Sequence, residues 1–293
     1  MPEVSEVIET PFRHGELKLA LRWRIGRGLR ERRYDEAIVL PNSFKSGLIP
    51  FFADIPLRAG FVGESRYGLL NVLHKLDERA LPLMAERYAQ LAEKPGEPVS
   101  RPLAKPRLVV DLANQLITVG RLGLERRKPV VVFCPGAEYG PAKRWPARHF
   151  ADLARRLSGR GAAVWMIGAE GDRAIADEIT RLSDGKAINL CGKTDLGSAV
   201  DLMSAAELVV SNDSGLMHVA AALDKPLIAL YGSSSPEHTP PLAESARVVR
   251  VEGLACSPCY KRECPLGHFR CMNELAPERV AAEIEAIESL HRH

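Results

Sequence analysis

In the second half of the chain, apolar residues gather into short unbroken runs, and the stretches between them repeat with helical period. The runs at 129–134, 162–167, 187–191, 208–211 and 226–231 predict strands, and 146–157, 173–182, 196–206 and 216–223 predict helices. A strand that is apolar throughout is buried on both faces, which requires helices on both sides of its sheet. Strand and helix alternating at this length therefore predict a parallel, doubly wound α/β domain.

The first half repeats the alternation less fully. Residues 4–8 and 36–40 predict strands, 44–52 and 81–92 helices, and 107–111 an extended segment. Four prolines between 94 and 106 mark a loop. Leu17, Leu21, Ile25 and Leu29 recur every fourth residue, on one face of a helix whose other side is basic. The domain boundary is expected in the stretch 121–128, giving domains at 1–125 and 126–293.

Composition narrows the class. A chain of 293 residues with 46% hydrophobic and 26% charged residues has the makings of two globular domains. No apolar run reaches the roughly 18 residues that a membrane span needs, and the first residues carry acids where a secretion signal carries bases. A cytoplasmic protein with reduced or metal-bound cysteines is expected. The net charge of +3 is uneven: residues 13–33 hold eight Lys or Arg against Glu16 and Glu31. Such a segment is a solvated helix face or one turned to a phosphorylated lipid or membrane surface. Nothing points to nucleic acid.

In doubly wound sheets ligands bind beyond the carboxyl ends of the strands. Five such ends here carry Gly, hydroxyl or charge. The first is Pro135-Gly136-Ala137-Glu138-Tyr139-Gly140-Pro141-Ala142-Lys143-Arg144, just before a predicted helix. The second holds Glu170 and Asp172, where a carboxylate is placed for ribose hydroxyls. Gly192-Lys193-Thr194 follows the third. Asn212-Asp213-Ser214-Gly215-Leu216-Met217-His218 follows the fourth, with Asp213 or Ser214 as a helix cap. Tyr231-Gly232-Ser233-Ser234-Ser235 follows the fifth. Each piece alone is an ordinary turn, a surface charge or, for His218, a core histidine. Together at one edge they predict a phosphate-bearing ligand. P-loop and Gly-x-Gly-x-x-Gly patterns are absent, against NTPase or NAD chemistry. There is also no Asp-x-Asp pair, so a diphosphate would be neutralised by Lys143, Arg144 and helix N-termini.

These motifs, with Lys143-Arg144-Trp145-Pro146 ahead of its helix, resemble the ADP-heptose:lipopolysaccharide heptosyltransferases, glycosyltransferase family 9. The loop 135–143 and the wording Leu40-Pro41-Asn42-Ser43-Phe44-Lys45-Ser46 are similar to the branch that adds the second inner-core heptose. The resemblance spans nearly the whole chain. It implies a GT-B fold, two Rossmann-like domains facing a cleft. It also implies inverting, metal-independent transfer from ADP-heptose to heptosyl-Kdo2-lipid A, a phosphorylated acceptor at the inner membrane surface, with peripheral membrane contact. By motif, Lys143 and Arg144 hold the diphosphate beside Ala137 and Glu138. Glu170 takes the ribose and Thr194 the adenine, while Asp213, Ser214 and Gly215 meet heptose and diphosphate with His218 behind. Family members open with a strand and a Gly-Asp loop carrying the expected general base. Neither is found here, so the N-terminal domain is expected to be incomplete. The rival readings are a related transferase with another acceptor and a nucleotide-binding module without activity.

Cys256, Cys259, Cys264 and Cys271 fall within sixteen residues, with His268 among them. Short thiol spacings allow a structural zinc site, and the alternative is a reduced loop. Cys134 and Cys191 sit in apolar strands and are expected in the core.

Overall fold

The structure is a computed structural model that describes residues 3–13, 15–125 and 129–290. The chain divides into two units. One spans Val4–Ala104 with Glu237–Thr239; the other runs from Lys105 to Pro236 and again from Pro240 on.

The first unit contains α1 (Leu19–Leu29), β1 (Glu36–Ile38), α2 (Leu48–Phe52), β2 (Leu57–Phe61), β3 (Val72–His74) and α3 (Met84–Gln90). Its three strands pair in parallel in the order β1-β2-β3. Residues 4–8 form no strand and leave Val4, Val7 and Ile8 exposed. Helix α1 turns a different face inward than its leucines suggest. Arg22 and Gly26 are buried, while Leu21, Ile25 and Leu29 are half-buried and Leu17 lies exposed before the helix. At Gly26 a Cβ would meet the Phe52 Cβ at 2.5 Å and the Ile49 carbonyl at 2.8 Å, so only glycine permits this approach of α1 to α2. Arg22 donates to the carbonyls of Leu17, Lys45 and Glu16 and lies 4.0 Å over the Phe12 ring. It is a structural cation, not part of an open basic surface; Arg24 and Arg27 remain exposed.

The second unit opens with α4 (Leu112–Arg121), which the hydrophobic pattern does not reveal. Leu112, Leu116 and Ile117 are exposed, whereas Gln115 and Thr118 are buried. The helix is held to the rest of its unit by polar contacts on Asp201. The Asp201 carboxylate accepts from the Asp111 N–H at 2.8 Å and from Asn114 Nδ2 at 2.6 Å, and its carbonyl accepts from Gln115 Nε2 at 2.8 Å. The expected boundary is corrected accordingly: α4 belongs to the C-terminal unit, and the chain changes units between Ala104 and Lys105. Residues 126–128, within the boundary stretch expected from the sequence, lie outside the described residues.

The remaining elements are β4 (Val130–Cys134), α5 (Ala147–Gly159), β5 (Ala163–Met166), α6 (Arg173–Leu182), β6 (Ala187–Asn189), α7 (Leu196–Ser204), β7 (Leu208–Asn212), α8 (Gly215–Ala222), β8 (Leu227–Tyr231), β9 (Ala246–Arg250), α9 (Arg270–Asn273) and α10 (Pro277–Leu290). All six strands pair in parallel in the order β6-β5-β4-β7-β8-β9. This is the dinucleotide-fold order, and it reverses between β4 and β7. Alternate residues feed opposite cores. Phe133 lies in register with Met166 and Val210, and Val210 with Ile228, all in the core shared with α5 and α10. Val132, Trp165 and Val209 point into the other core with α7 and α8.

Candidate functional site

At the reversal point, β7 ends on a residue that stitches the two neighbouring strand ends together. Buried Asn212 donates through Nδ2 to the Pro135 carbonyl at 2.7 Å and accepts the Trp145 N–H on Oδ1 at 3.1 Å. The loop after β4 is thereby fixed at both ends, and Lys143 rides on it in a short 3-10 turn (Pro141–Lys143) ahead of α5.

Lys143 Nζ lies 2.6 Å from Asp213 Oδ2. The same oxygen accepts the Ser234 hydroxyl at 2.5 Å. Asp213 and Ser234 are buried, so three strand ends, those of β4, β7 and β8, meet at one carboxylate oxygen. Asp213 does not cap α8. Ser214 occupies that position but makes no side-chain cap bond, so the first-turn N–H groups of α8 keep their binding capacity. His218, one turn along, has its pKa lowered by desolvation, with Lys143 acting in the same sense and Asp213 opposing. Its neutral form is favoured.

Ala137, Glu138, Thr194, Ser214 and Gly215 line one cavity of about 510 Å³. Its apolar walls include Ile167, Leu196 and Val219, an environment fit for a base or similar ring. Lys143, Arg144, Asp213, Glu170 and His218 are outside that lining. Arg144 is 4.0 Å from Asp172, whose carboxylate also accepts the Ala169 N–H at 3.1 Å. Glu170 is exposed and pairs with Arg173 at 2.7 Å. Gly192, at φ 72°, takes a conformation that favours glycine, and a Cβ there would stand 3.0 Å from the Glu170 Cα. Ser234 and Asp172 stand in the strand-end segments read from the sequence, but the sequence did not assign Ser234 to Asp213 or Asp172 to Arg144. The Ser233-Ser234-Ser235 run was the available signal for the first, and the carboxylate two residues beyond Glu170 for the second.

The four clustered cysteines are free thiols and half-buried. Cys271 is pushed up to about 11, first by burial and then by Cys259, Cys256 and Cys264. Cys264 is lowered by the Phe269 N–H, which its sulfur accepts at 3.4 Å. Among the described residues, no group of three or more His, Cys, Asp or Glu is placed to hold a metal ion. The zinc expectation is therefore not supported: the four thiols form no such group. Cys134 and Cys191 are core residues, as their strands implied. No helix among the described residues is long and apolar enough to cross a membrane.

The chain is 45% identical over 296 residues to lipopolysaccharide heptosyltransferase 2 of Escherichia coli K12, covering 98% of this chain and 85% of that protein. It is 43% identical to lipooligosaccharide heptosyltransferase 2 of Haemophilus influenzae, with 98% and 86% covered. The fold superposes on the solved E. coli ADP-heptose lipopolysaccharide heptosyltransferase II with a TM-score of 0.85 at 43% identity, over 94% of this chain and 83% of that one. The model of glycosyltransferase family 9 (heptosyltransferase) matches residues 22–270. The chain therefore belongs to glycosyltransferase family 9, the heptosyltransferases.

Proposed function

We propose that this glycosyltransferase moves heptose from ADP-heptose to heptosyl-Kdo2-lipid A in the lipopolysaccharide inner core, working at the cytoplasmic face of the inner membrane. The observation that carries the donor side is the Lys143–Asp213–Ser234 cluster at the reversal point, beside a mostly apolar cavity. The base would occupy that cavity near Thr194, with the ribose toward Glu170. The diphosphate would lie across Lys143, Arg144 and the first turn of α8.

In an inverting transfer, an acceptor hydroxyl gives up its proton to a general base, its oxygen bonds to the anomeric carbon, and the bond from that carbon to the diphosphate oxygen breaks. Negative charge grows on the departing ADP. Lys143 and the α8 N–H groups face that charge and are held in place before reaction, the arrangement that lowers such barriers most. Asp213 and Ser234 position Lys143. This reading assigns the diphosphate to side-chain cations and helix N–H groups, with no role for a divalent metal.

In the N-terminal unit a cavity of about 880 Å³ is lined by Arg13, Asn42, Ser43 and Lys45 among others. Its cations Arg13, Arg22 and Lys45 outnumber its one carboxylate, Glu64, which suits it to a phosphorylated acceptor.

Lys143→Ala should weaken ADP binding by more than tenfold in calorimetry, the loss of one charge-assisted contact worth about 1.5–3 kcal/mol. ADP release on mixing ADP-heptose with heptosyl-Kdo2-lipid A should fall with it. Unchanged ADP affinity would reduce Lys143 to a surface charge.

A further inference from the structure

The charges around the donor diphosphate do not balance. Lys143 is matched by Asp213 at 2.6 Å, and Arg144 faces Asp172 at 4.0 Å. Glu138 and Asp195 add two more carboxylates on the cavity lining. Two cations thus stand against four carboxylates where the diphosphate is proposed to sit. The N-terminus of α8 contributes only about half a unit of positive charge. A further cation would offset the excess, and the structure holds one at the Tyr139 ring, which Lys143 also approaches.

The loop between β9 and α9, which carries the clustered cysteines, is fastened to the donor loops at four places. The Ala142 N–H donates to the Arg262 carbonyl at 3.1 Å. The Tyr139 hydroxyl donates to the Tyr260 carbonyl at 2.9 Å. The Tyr260 N–H donates to the Ser233 carbonyl at 2.7 Å, and Ser257 Oγ to the Gly232 carbonyl at 2.7 Å. Gly140, at φ 155°, lets the first of these form: a Cβ there would be 2.4 Å from the Arg262 carbonyl oxygen. The loop is therefore in register with the segments that carry Lys143 and Ser234.

On this loop the Arg262 guanidinium lies 5.6 Å from the centre of the Tyr139 ring, and Lys143 Nζ lies 5.3 Å from the same centre. One aromatic ring thus gathers both cations through its electron-rich faces. Arg262 is exposed and, among the described residues, pairs with no carboxylate. Among these residues no carboxylate offsets its charge, whereas Asp213 partly offsets that of Lys143.

We propose that Arg262 is a phosphate-binding residue of the donor site, delivered there by the cysteine-rich loop and held at the Tyr139 ring that Lys143 also approaches. This rests on the donor reading above. Arg262 adds its positive charge to that of Lys143, which Asp213 partly offsets. A planar guanidinium also offers two parallel N–H groups to phosphate oxygens, which an ammonium does not.

The test is calorimetric, on the full chain, with three probes: ADP, adenosine and inorganic pyrophosphate. Arg262→Gln should weaken ADP and pyrophosphate by about tenfold or more and leave adenosine unchanged. Arg262→Lys should recover part of the loss. Tyr139→Leu, which removes the ring but no charge, should weaken both phosphate probes less than Arg262→Gln does. Equal ADP affinity in wild type and Arg262→Gln would overturn the proposal. So would a parallel fall in adenosine affinity, since that marks collapse of the loop. If wild type binds pyrophosphate but not ADP, the nucleotide reading fails, while Arg262 is still judged on pyrophosphate. Binding of neither phosphate probe by wild type would overturn both.

Discussion

The two units are stabilised by different means. In the six-stranded sheet, β4, β7 and β8 are buried at every position, and alternate residues enter separate apolar cores. In the three-stranded sheet, β1 leaves Glu36 and Ile38 exposed, and much of the interior work is done by guanidinium groups. Buried Arg66 donates to the Pro41 and Phe61 carbonyls and to Asn42 Oδ1, so it sets the shape of the Pro41–Asn42 turn. Arg22 does the same for Lys45. Apolar area is non-directional, so a sheet built on it tolerates small shifts. Carbonyls that rely on one guanidinium do not, because each is left unsatisfied when the donor goes.

The sharpest test of this contrast is removal of a central apolar side chain. Phe133→Ala should cost the C-terminal unit about 3–5 kcal/mol, the usual range for a fully buried aromatic truncated in a packed core. Urea unfolding followed by tryptophan fluorescence reads it, because Trp145 and Trp165 are both buried in this unit. A loss below about 1 kcal/mol would mean that the sheet is not the main source of stability.

The matching change in the other unit is Arg66→Met, which keeps bulk and removes the donors. It should cost about 1–3 kcal/mol for each stranded buried acceptor. Limited proteolysis should open the 41–46 loop first, with ADP affinity in the C-terminal unit unaltered. A parallel drop in ADP affinity would show that the two units do not respond separately.

The smallest effect is on pH dependence. Burial lowers the pKa of His74 in one unit, and burial followed by Arg148 lowers that of His149 in the other. A lowered folded-state pKa means that the unfolded chain takes up protons first as acid is added. The stability from these neutral rings is complete above the ordinary histidine value of about 6.5. It is lost as pH falls from there toward the folded-state values. His149→Phe, which keeps the edge contact with Trp145, should flatten the acid-side decline of Tm in the C-terminal transition, and His74→Phe should do so in the N-terminal one. An unchanged slope in either variant would place the acid sensitivity elsewhere.

The C-terminal fold was legible because burial on both faces writes itself as unbroken apolar runs, and helix α6 was predicted with its observed bounds, Arg173–Leu182. Strand β9 escaped because it borders the sheet on one side only, and its run, Ala246-Arg247-Val248-Val249-Arg250, mixes arginine with valine. In the N-terminal unit β2 and β3 escaped for a similar reason: Leu57-Arg58-Ala59-Gly60-Phe61 and Val72-Leu73-His74 are short and partly polar. Helix α4 escaped because its anchoring residues are polar. Its Asp111 cap, which accepts the Ala113 and Asn114 N–H groups, was the signal to follow.

For the site, local sequence determined which residues stand at the strand ends, since a parallel sheet always brings its carboxyl ends to one edge. Lys143, Thr194, Asp213, Ser214 and Gly215 were identifiable on that ground alone. Only the tertiary structure decided which of them touch. Asp213 reads equally well as a helix cap, a sugar ligand or an anchor for lysine, and the choice depends on where Lys143 and Ser234 arrive from segments 70 and 21 residues away. Arg262 is the extreme case. It lies in a loop with no periodic pattern, and nothing local connects it to Tyr139 or Ala142 more than a hundred residues earlier. Periodicity encodes burial, which each residue settles with its own side chain. Pairing is settled only by the route of the whole chain.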